Sequence, residues 1–579
     1  MGVLLQAYYK QNQDKGPPSP FDGDVGADAW WDHLAKQAHA LRDAGFSAVW
    51  LPPVQKGASG VKSLGFDLFD DYDLGSKDQQ GAVPTRYGTR EQLQRCVAIL
   101  RANGMDVYLD LVEHQRDGDT TPFEFRYVGA NGKANIGRFP KGPLCFHPNA
   151  PRDPGVFDAA ITFGRDLAPV TGRLDAAHPV GSVGDALIAA AEWLVNALDI
   201  QGMRVDDAKG VSTVFLNRLL DSPAGQGKFI VGEFFDGNAN LVKNWIFNPN
   251  AMNGRASAFD FPLKFTLSTM CNQFGPFDMS LLDHAGVAGR APLQAVTFVE
   301  NHDTDTNPQL SPIVRNKMMG YAYILTSEGY PCVYYRDYSP DPGCFGLKPE
   351  IDNLIWIHEK LASGPTQQRW KEHDLFVYER LGGPHLLVGL NNGGVPRTVT
   401  VDTGFGPHTS LHDYTGHASD LTTDASGRAT LSLPPNHNGN GYVCYSRQGI
   451  GGTFTTPRHP VTQSFEGAPD LDIGPAAIGA FGTPGRIWVD AGTTIHTTLN
   501  FVPTGWTPQT TLTLAIDNPD GTLLTSRTYT QSMASQAGLS GMAATAGWHT
   551  LRLRADNVPG AQADLTYRLT VTYTAPAGL

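Results

Sequence analysis

Two charged residues that lie two positions apart, Arg204 and Asp206, could carry chemistry at the end of a short apolar stretch. If residues 202–206 form a strand, both side chains point the same way, because side chains alternate between the two faces of a strand. A buried arginine and aspartate are costly unless they pair, and the paired guanidinium keeps the carboxylate ionised and fixed in direction. A carboxylate nucleophile needs both properties. A structural ion pair would give the same pattern, so this stretch alone leaves the two interpretations open.

Two later apolar stretches also end in an acid, the first at Glu233 and the second at Asp303. The carboxyl ends of the strands of a (β/α)8 barrel converge on one site. In such a barrel Asp206, Glu233 and Asp303 would come together from three different strands. Each acid by itself could be a strand-end cap or part of an ion pair, but three strands that end alike indicate a site.

The stretches between these acids alternate between strand and helix patterns. Apolar periodicity predicts strands near 2–8, 47–51, 106–112, 257–261, 296–299 and 331–335, and helices near 31–44, 90–102, 185–198, 211–220, 313–327 and 348–361. Gly45 and Gly104 follow two of these helices, where glycine commonly ends a helix. The sequence therefore predicts an α/β fold with a (β/α)8 TIM barrel.

With its motifs in this order, the chain resembles the α-amylase family of retaining glycoside hydrolases over residues 2–446. Residues 202–206 (Gly-Met-Arg-Val-Asp) match the family's nucleophile motif, residues 231–233 its acid/base motif and residues 298–303 its third-acid motif. Residues 56–89 look most like the liquefying bacterial and intracellular α-amylase branch. The resemblance implies endo-acting hydrolysis of α-1,4-glucosidic bonds in starch and maltooligosaccharides, through a covalent glycosyl-enzyme intermediate.

The resemblance also implies roles for individual residues. Asp206 would be the nucleophile, Glu233 the acid/base, and Asp303 the carboxylate that holds the distorted sugar. The substrate contacts that it implies are Phe66, Asp67, His114, Gln115, Arg204, Lys209 and His302. At Phe66 the family usually has tyrosine, so the face that stacks on the sugar is kept and the hydroxyl is lost.

A structural calcium ion is a further implication of the resemblance, with Asp166 and the carbonyl of Gly210 at two ligand positions. The family pattern after the third strand is Asp-x-Val-x-Asn-His, where residues 110–115 of this chain read Asp-Leu-Val-Glu-His-Gln. Calcium prefers oxygen ligands, and imidazole is a poor one. The histidine in this stretch therefore argues against calcium.

Two alignments of this stretch are open. Without a gap, His114 replaces the asparagine ligand and Gln115 replaces a histidine that contacts the substrate. With one residue deleted, Glu113 takes the ligand position and His114 keeps the role of the substrate-contacting histidine. We prefer the ungapped alignment because the spacing at a strand end is tightly set.

The domain organisation follows from the pattern and the resemblance together. We predict a catalytic barrel (domain A) at 1–112 and 180–368, an inserted domain B at 113–179, an all-β domain C at 369–447, a linker at 448–463 and a C-terminal β-sandwich at 464–579. The last region is rich in threonine and has alternating apolar runs. Its tryptophans either bind polysaccharide or fill the core of the sandwich; they are Trp488, Trp506 and Trp548.

Composition restricts the partners. A net charge of −13 argues against nucleic acid or an anionic membrane surface, and no stretch approaches the roughly 20 apolar residues of a membrane helix. No signal peptide is visible, so the compartment is left open between the cytoplasm and export with the signal removed. The six cysteines are scattered without metal-ligand spacing. We expect a monomer that acts on starch or a related α-glucan.

Three other functions are weighed against hydrolysis. An α-glucan transglycosylase would use the same site, with a sugar hydroxyl in place of water. A non-catalytic glucan-binding protein is disfavoured by the three acids. A metal-dependent barrel hydrolase is disfavoured because the sequence lacks a cluster of histidine and aspartate ligands.

Overall fold

The computed structural model describes residues 2–10, 29–119, 123–158, 164–174, 182–454, 457–501, 507–530, 533, 537–560 and 565–579. Within these ranges, none of the helices combines the length and the apolar character needed to cross a membrane.

Eight of the strands in these ranges form a closed barrel, as the sequence predicts. They are β1 (Val3–Gln6), β2 (Phe46–Leu51), β3 (Asp106–Leu111), β4 (Gly202–Val205), β5 (Phe229–Gly232), β6 (Ser257–Phe259), β7 (Ala295–Phe298) and β8 (Tyr330–Tyr334). Their order around the barrel is β1-β8-β7-β6-β5-β4-β3-β2. Most of their residues are apolar and buried, because a parallel barrel strand is covered on both faces.

Among the described residues, helices follow the barrel strands. They are α1 (Trp30–Ala44), α2 (Arg90–Ala102), α3 (Ser182–Leu198), α4 (Thr213–Asp221), α5 (Ala239–Phe247), α6 (Phe261–Asn272), α7 (Lys317–Thr326), the short α8 (Tyr335–Tyr338) and α9 (Lys348–Leu361). Helices α5, α6 and α8 were not predicted, and the others lie close to the predicted positions. Helix α2 begins at a capping box, in which the Thr89 side chain accepts from the Gln92 amide and Gln92 bonds back. This start is fixed by local sequence, which is why the predicted bounds of α2 agree with the structure.

Two segments, one after β2 and one after β3, have little regular structure. In the loop 64–88, which we call the Phe66 loop, Leu68–Asp70 pairs with Lys56–Gly57. In the region after β3, the described residues form two short ribbons. One pairs Gln115–Arg116 with Arg165–Asp166, and the other pairs Tyr127–Val128 with Ala134–Asn135.

An all-β region follows α9. Its strands are β9 (Thr366–Lys371), β10 (Leu375–Arg380), β11 (Leu386–Asn391), β12 (Arg397–Asp402), β13 (Ser410–Asp413), β14 (Leu421–Thr422), β15 (Arg428–Leu433) and β16 (Tyr442–Arg447). They form a sheet in the order β9-β10-β11-β16-β13-β14 and a ribbon of β12 with β15. Apolar side chains from both, such as Leu387, Leu431 and Val443, form one buried core.

The C-terminal region is also built from two sheets. Its strands are β17 (Val461–Gly467), β18 (Ala477–Ile478), β19 (Gly482–Val489), β20 (Thr494–Phe501), β21 (Thr511–Asp517), β22 (Leu523–Thr530), β23 (Ala537–Met542), β24 (Gly547–Asp556) and β25 (Tyr567–Tyr573). One sheet has the order β17-β25-β20-β23, and the other has β18-β24-β21-β22 with β19 paired to β24. Alternating burial along β24 and β25 is typical of strands with one face on a sandwich core. Trp506 lies outside the described residues.

The chain divides into two compact units that share the barrel strands between them. The first comprises Met1–Ser19, Leu41–Trp50 and Ile230–Thr455, and the second comprises Pro20–Ala40, Leu51–Phe229 and Thr456–Leu579.

Candidate active site

The predicted ion pair between Arg204 and Asp206 is confirmed. Arg204 lies on β4 and Asp206 directly follows it, and the Nη1 atom of Arg204 is 2.5 Å from Oδ1 of Asp206. The same nitrogen is 2.6 Å from Oδ1 of Asp110 on β3, which is the register partner of Arg204. One buried guanidinium thus joins two carboxylates, and 11 % of the Asp206 side chain remains exposed. Asp206 is held in direction and kept accessible.

Gln115 and Phe66 complete the surroundings of Asp206. The Nε2 atom of Gln115 donates to Oδ2 of Asp206 at 3.1 Å and to the backbone oxygen of Phe66 at 3.2 Å. The guanidinium carbon of Arg204 lies 5.7 Å from the centre of the Phe66 ring. The sequence placed these four residues in one site, and the structure brings them together.

Asp67 fastens the Phe66 loop to the segment that directly precedes it. Its Oδ2 accepts from the Ser59 amide at 2.8 Å, and its Oδ1 accepts from the Ser63 hydroxyl. Both carboxylate oxygens therefore take bonds from this preceding segment. The predicted substrate contact at Asp67 would have to share an oxygen with these donors.

His114 lies between two carboxylates of the same unit. Its Nδ1 is 2.8 Å from Oδ2 of Asp207, and its Nε2 is 3.5 Å from Oδ1 of Asp166. Burial opposes protonation of the ring, but the hydrogen bond and the negative charge of Asp207 outweigh it, so the pKa of His114 is raised. The pKa of Asp166 is also raised, because its desolvation outweighs the attraction of the imidazole.

The residues at this position do not fit a calcium ion. The imidazole of His114 lies between the carboxylates of Asp166 and Asp207, so a nitrogen ring occupies the position where the resemblance implies an oxygen ligand. A Cβ atom on Gly210 would lie 2.5 Å from Nε2 of His114, so the absence of a side chain at Gly210 makes room for the ring. Within the described residues, no group of three histidine, cysteine, aspartate or glutamate side chains is arranged to hold a metal.

Lys209 contributes its backbone to the inserted segment. The carbonyl of Lys209 accepts from the amides of Phe157 at 3.0 Å and Asp158 at 2.9 Å. These two bonds hold residues 157 and 158 of the inserted segment close to the end of β4. The side chain of Lys209 is half-buried, and the substrate contact predicted for it stays a prediction.

In the first unit, Glu233 directly follows β5. The ring of Trp245 on α5 lies against the preceding Gly232, where a Cβ atom would meet it at 2.3 Å. Trp245 also packs on Phe234 with a centroid distance of 5.6 Å. Aromatic packing on both sides therefore fixes the backbone that carries Glu233, and the side chain itself is partly buried.

Asp303 and His302 follow β7 and are tied to the end of β1. Nδ1 of His302 is 3.1 Å from Nε2 of Gln6 and 3.3 Å from the Tyr8 hydroxyl. Its Nε2 is 3.2 Å from Oδ2 of Asp303. The Nζ atom of Lys10 is 2.5 Å from the other oxygen of Asp303.

Sequence reasoning missed Gln6, Tyr8, Lys10 and Asp110. Gln6 and Tyr8 carry a signal that could have been used, since they are two apart at the end of a strand and so point the same way. Asp110 belongs to the motif at the end of the third strand, but no partner was predicted for it. Lys10 carries no pattern, because its partner is 293 positions away in the chain.

Glu300 lies in the third-acid motif but belongs to the core. Its carboxylate accepts from the Thr304 hydroxyl and the Ile313 amide, and Oε2 is 3.7 Å from Nζ of Lys264. Burial raises the pKa of Glu300 to about 7, against the opposing charges of Lys317 and Lys264. Glu300 therefore anchors the turn that presents Asp303.

Comparison with known proteins decides the family. Residues 386–446 match a family model described as "Alpha-amylase C-terminal". An α-amylase from Geobacillus stearothermophilus is 31 % identical over 472 residues, which cover 73 % of this chain and 82 % of that protein. The chain belongs to the α-amylase family. Its relatives include glycoside hydrolases, and this protein is a glycoside hydrolase as well.

Other relatives and solved structures agree. A glucan 1,4-α-maltohexaosidase from Bacillus sp. (strain 707) is 28 % identical, covering 71 % of this chain and 86 % of that protein. The cytoplasmic α-amylase of Escherichia coli K12 is 26 % identical, covering 69 % of this chain and 93 % of that protein. A gamma-CGTase structure from alkalophilic Bacillus clarkii has a TM-score of 0.56 at 16 % identity and covers 98 % of this chain and 94 % of that one. At that identity the likeness concerns the fold alone.

Proposed function

We propose that this protein is an α-amylase, an endo-acting hydrolase of α-1,4-glucosidic bonds in starch and related maltooligosaccharides. The support comes from the family, since the curated relatives that resemble this chain include α-amylases and a maltohexaosidase. The single observation that carries the chemistry is the carboxylate of Asp206, joined at 2.5 Å to a buried guanidinium. That arrangement suits a carboxylate that must attack while ionised.

In the proposed reaction, Asp206 attacks the anomeric carbon while Glu233 donates its proton to the glycosidic oxygen that leaves. A covalent glycosyl-enzyme intermediate forms at Asp206. Glu233 then takes a proton from water, and the hydroxide attacks the anomeric carbon and releases Asp206. The retaining mechanism requires the two carboxyl groups to lie about 5–5.5 Å apart. Asp206 directly follows β4 and Glu233 directly follows β5, which is where barrel enzymes carry their catalytic residues.

Asp303 holds the hydroxyls of the distorted sugar and stabilises the positive charge that develops in the transition state. His302 adds a hydrogen bond at the same sugar. Its ring is already oriented by Gln6 and Tyr8 through Nδ1, which leaves Nε2 on the side of Asp303. Lys10 pairs with Asp303 and places a positive charge beside that carboxylate.

We also infer that the protein works without the structural calcium that the resemblance implies. The reason is the chemistry of the donors: an imidazole lies between Asp166 and Asp207, and its raised pKa favours the protonated ring, which places one positive charge beside both carboxylates. The protein's own His114 then links the end of β3 to the end of β4 and to the inserted segment.

The test of the function is hydrolysis of soluble starch by the wild type, Asp206→Asn and Glu233→Gln. We expect the Glu233→Gln variant to lose roughly 10²–10⁴-fold in kcat, the usual contribution of a general acid–base group. Far-ultraviolet circular dichroism should be unchanged for both variants. Rates like those of the wild type in either variant would remove the assignment of that residue.

Product analysis distinguishes hydrolysis from transglycosylation. A hydrolase releases reducing ends from starch and leaves maltotriose mainly as smaller sugars, whereas a transglycosylase disproportionates maltotriose into longer chains. We expect reducing ends to dominate. Chains longer than maltotriose as the main product would favour the transglycosylase.

A further inference from the structure

The C-terminal sandwich packs on the helices that surround β3 and β4 rather than extending from them as a separate module. In the second unit, Nε2 of Gln463 on β17 donates to the carbonyl of Gln94 on α2 at 2.9 Å. The amide of Thr462 donates to Oδ2 of Asp199, also at 2.9 Å. Each of these bonds joins a side chain of one region to a backbone group of the other.

One carboxylate of the sandwich is buried among groups from α2 and the Phe66 loop. Oδ2 of Asp472 is 2.5 Å from Nη1 of Arg90 and 2.5 Å from the Ser76 hydroxyl. The side chains of Asp472 and Arg90 are 3 % and 6 % exposed. The guanidinium of Arg90 also lies 5.8 Å from the ring centres of Trp193 and Phe465, so the pair is enclosed by aromatic rings. A buried pair of this kind is costly to break from one side.

From Ser76 a short set of bonds leads to the strand that follows Phe66. The amide of Ser76 donates to Oδ1 of Asp73 at 2.9 Å. Gln79 joins Asp73 to Asp70 by donating to both carboxylates, at 2.8 and 2.7 Å. Asp70 ends the strand Leu68–Asp70, which begins two residues after Phe66.

Phe66 is connected in turn to the candidate nucleophile. Gln115 bonds the carbonyl of Phe66 and the carboxylate of Asp206 with the same nitrogen atom. The Phe66 loop is therefore held at one end by the sandwich and at the other end by the site. Few of these bonds involve water-exposed groups, so they act in surroundings where hydrogen bonds are strong.

The sandwich also holds the inserted segment just after its second ribbon. Arg138 pairs with Glu466 at 2.6 Å and with Asp470 at 2.9 Å. Its guanidinium lies 5.6 Å from the ring centre of Tyr72 in the Phe66 loop. The edge of the sandwich that binds the loop through Asp472 therefore binds the inserted segment as well.

Two of the tryptophans that could have bound polysaccharide are used in this packing. Trp488 and Trp548 pack edge to face at 5.2 Å, and Arg95 of α2 lies 5.4 and 5.0 Å from their ring centres. Arg486 lies 4.8 Å from the ring of Trp548 on the sandwich side. A sugar ring needs an open aromatic face, and here arginine side chains lie on these faces.

We propose that the C-terminal sandwich is a fixed support for the Phe66 loop, with Asp472 as the positioning residue that acts through Ser76. In this role the sandwich sets the place of Phe66 against Asp206 and does not bind glucan through Trp488 or Trp548. The proposal rests on the proposed function for its activity measurements. Its structural measurements are independent of that function.

The first experiment compares Asp472→Asn and Ser76→Ala with a control, Asp517→Asn, in the full chain. Asp517 loses a similar bond, 2.6 Å to Arg552 within the sandwich, without touching the loop. Ser76→Ala removes the link to the loop and leaves the pair of Arg90 with Asp472 in place. We expect kcat/KM on maltoheptaose to fall about tenfold or more for both loop variants, since small misplacements near a site are costly. The control should stay within about twofold of the wild type.

Thermal unfolding separates positioning from a loss of stability. Asp472→Asn should lower the Tm because it strands Arg90, whereas Ser76→Ala should change the Tm little and still lower kcat/KM. If kcat/KM of Ser76→Ala equals that of the wild type, the positioning role is overturned, even if Asp472→Asn unfolds. If the wild type itself does not cleave starch, the proposed function fails instead. In that case two measurements still test whether the sandwich supports the loop. Asp472→Asn should have a lower Tm, and protease should cleave its Phe66 loop faster than that of the wild type.

The second experiment replaces Trp548 by alanine in a Glu233→Gln background, where bound glucan is not consumed. We expect a lower Tm and unchanged retention on insoluble starch, because Trp548 packs against Arg95. Loss of starch retention with an unchanged Tm would overturn the proposal and make the sandwich a glucan-binding module.

Discussion

Asp206 and Asp207 are neighbours in the chain, yet their side chains have different partners. Asp206 is joined to the guanidinium of Arg204, and only 11 % of its side chain is exposed. Asp207 is joined to the imidazole of His114, and 33 % of its side chain is exposed. The backbone of Asp207 has a φ of 39°, in the left-handed region, which turns its side chain away from that of Asp206.

The difference shows how one strand end serves two purposes. A guanidinium keeps its positive charge at neutral pH, so Arg204 is a permanent cationic partner for Asp206. An imidazole can gain and lose a proton near neutral pH, so its bond to Asp207 suits a structural link more than a nucleophile. The chemistry and the anchoring of the inserted segment are thus assigned to adjacent residues with different cations.

The largest effect should separate these two aspartates directly. Asp206→Asn should lower kcat on starch roughly 10⁴-fold or more, because the amide cannot attack the anomeric carbon. Asp207→Asn should keep kcat within about tenfold and instead lower the Tm, because it removes the charged partner of His114. Reducing-sugar release and differential scanning calorimetry measure the two quantities. Equal losses of kcat in both variants would erase the distinction between the two residues.

Removal of Arg204 tests the side of the comparison that carries the chemistry. Arg204→Ala leaves Asp110 and Asp206 without their shared cation, and we expect a loss of about 3–5 kcal/mol in the free energy of unfolding together with most of the activity. Arg204→Lys keeps one charge but cannot reproduce the planar guanidinium, so it should fall between the wild type and the alanine variant. Urea unfolding measures the stability. An alanine variant as stable as the wild type would show that the pair is not buried as described.

His114 tests the anchoring side. His114→Ala leaves Asp166 and Asp207 facing each other, and we expect a loss of roughly 1–3 kcal/mol in stability with a smaller change in kcat. EDTA should leave the Tm of the wild type unchanged, because the imidazole takes the place of a metal between the carboxylates. A Tm that falls in EDTA and returns with added calcium would contradict the inference that the protein works without this ion.

The smallest effect concerns Glu113, whose carboxyl group lies just after β3. Burial raises the pKa of Glu113 to about 8, against the charge of Arg116, and its Oε2 has no hydrogen-bond partner among the described residues. Between its ordinary pKa of 4.5 and its folded-state pKa of about 8, Glu113 is therefore protonated in the folded protein and ionised in the unfolded chain. Stability should fall as the pH rises through this window.

Glu113→Gln removes this dependence because the amide has no proton to lose. We expect the Tm of the variant, relative to the wild type, to be higher at about pH 8 than at about pH 5, by a few degrees at most. Calorimetry at both pH values measures the difference. A constant difference between variant and wild type across this window would show that Glu113 is already ionised in the folded protein.

Much of the fold was predictable because it is encoded locally. Helix α9 begins and ends where the apolar periodicity places it, and α2 begins at a capping box that is written in four consecutive residues. The pair of Arg204 with Asp206 was predictable for the same reason, since the two residues are adjacent on one face of a strand. The all-β regions followed from alternation and turn residues.

Other parts of the site depend on partners that are far apart in the sequence. His114 and Asp207 are 93 positions apart by their numbers, and Asp472 meets Ser76 across 396 positions. No local pattern connects such residues, because their meeting depends on how whole elements pack. The two aromatic residues Trp488 and Trp548 were ambiguous for the same reason: composition cannot tell an aromatic face that is open from one that an arginine covers.

The missing side chain at Gly210 has a consequence for any redesign of this strand end. A Cβ atom at 210 would lie 2.5 Å from Nε2 of His114, so the imidazole would have to move to admit a larger residue. The present position of the ring and a side chain at 210 therefore exclude each other. An engineer who wishes to exchange one arrangement for the other would have to alter both positions in the same gene.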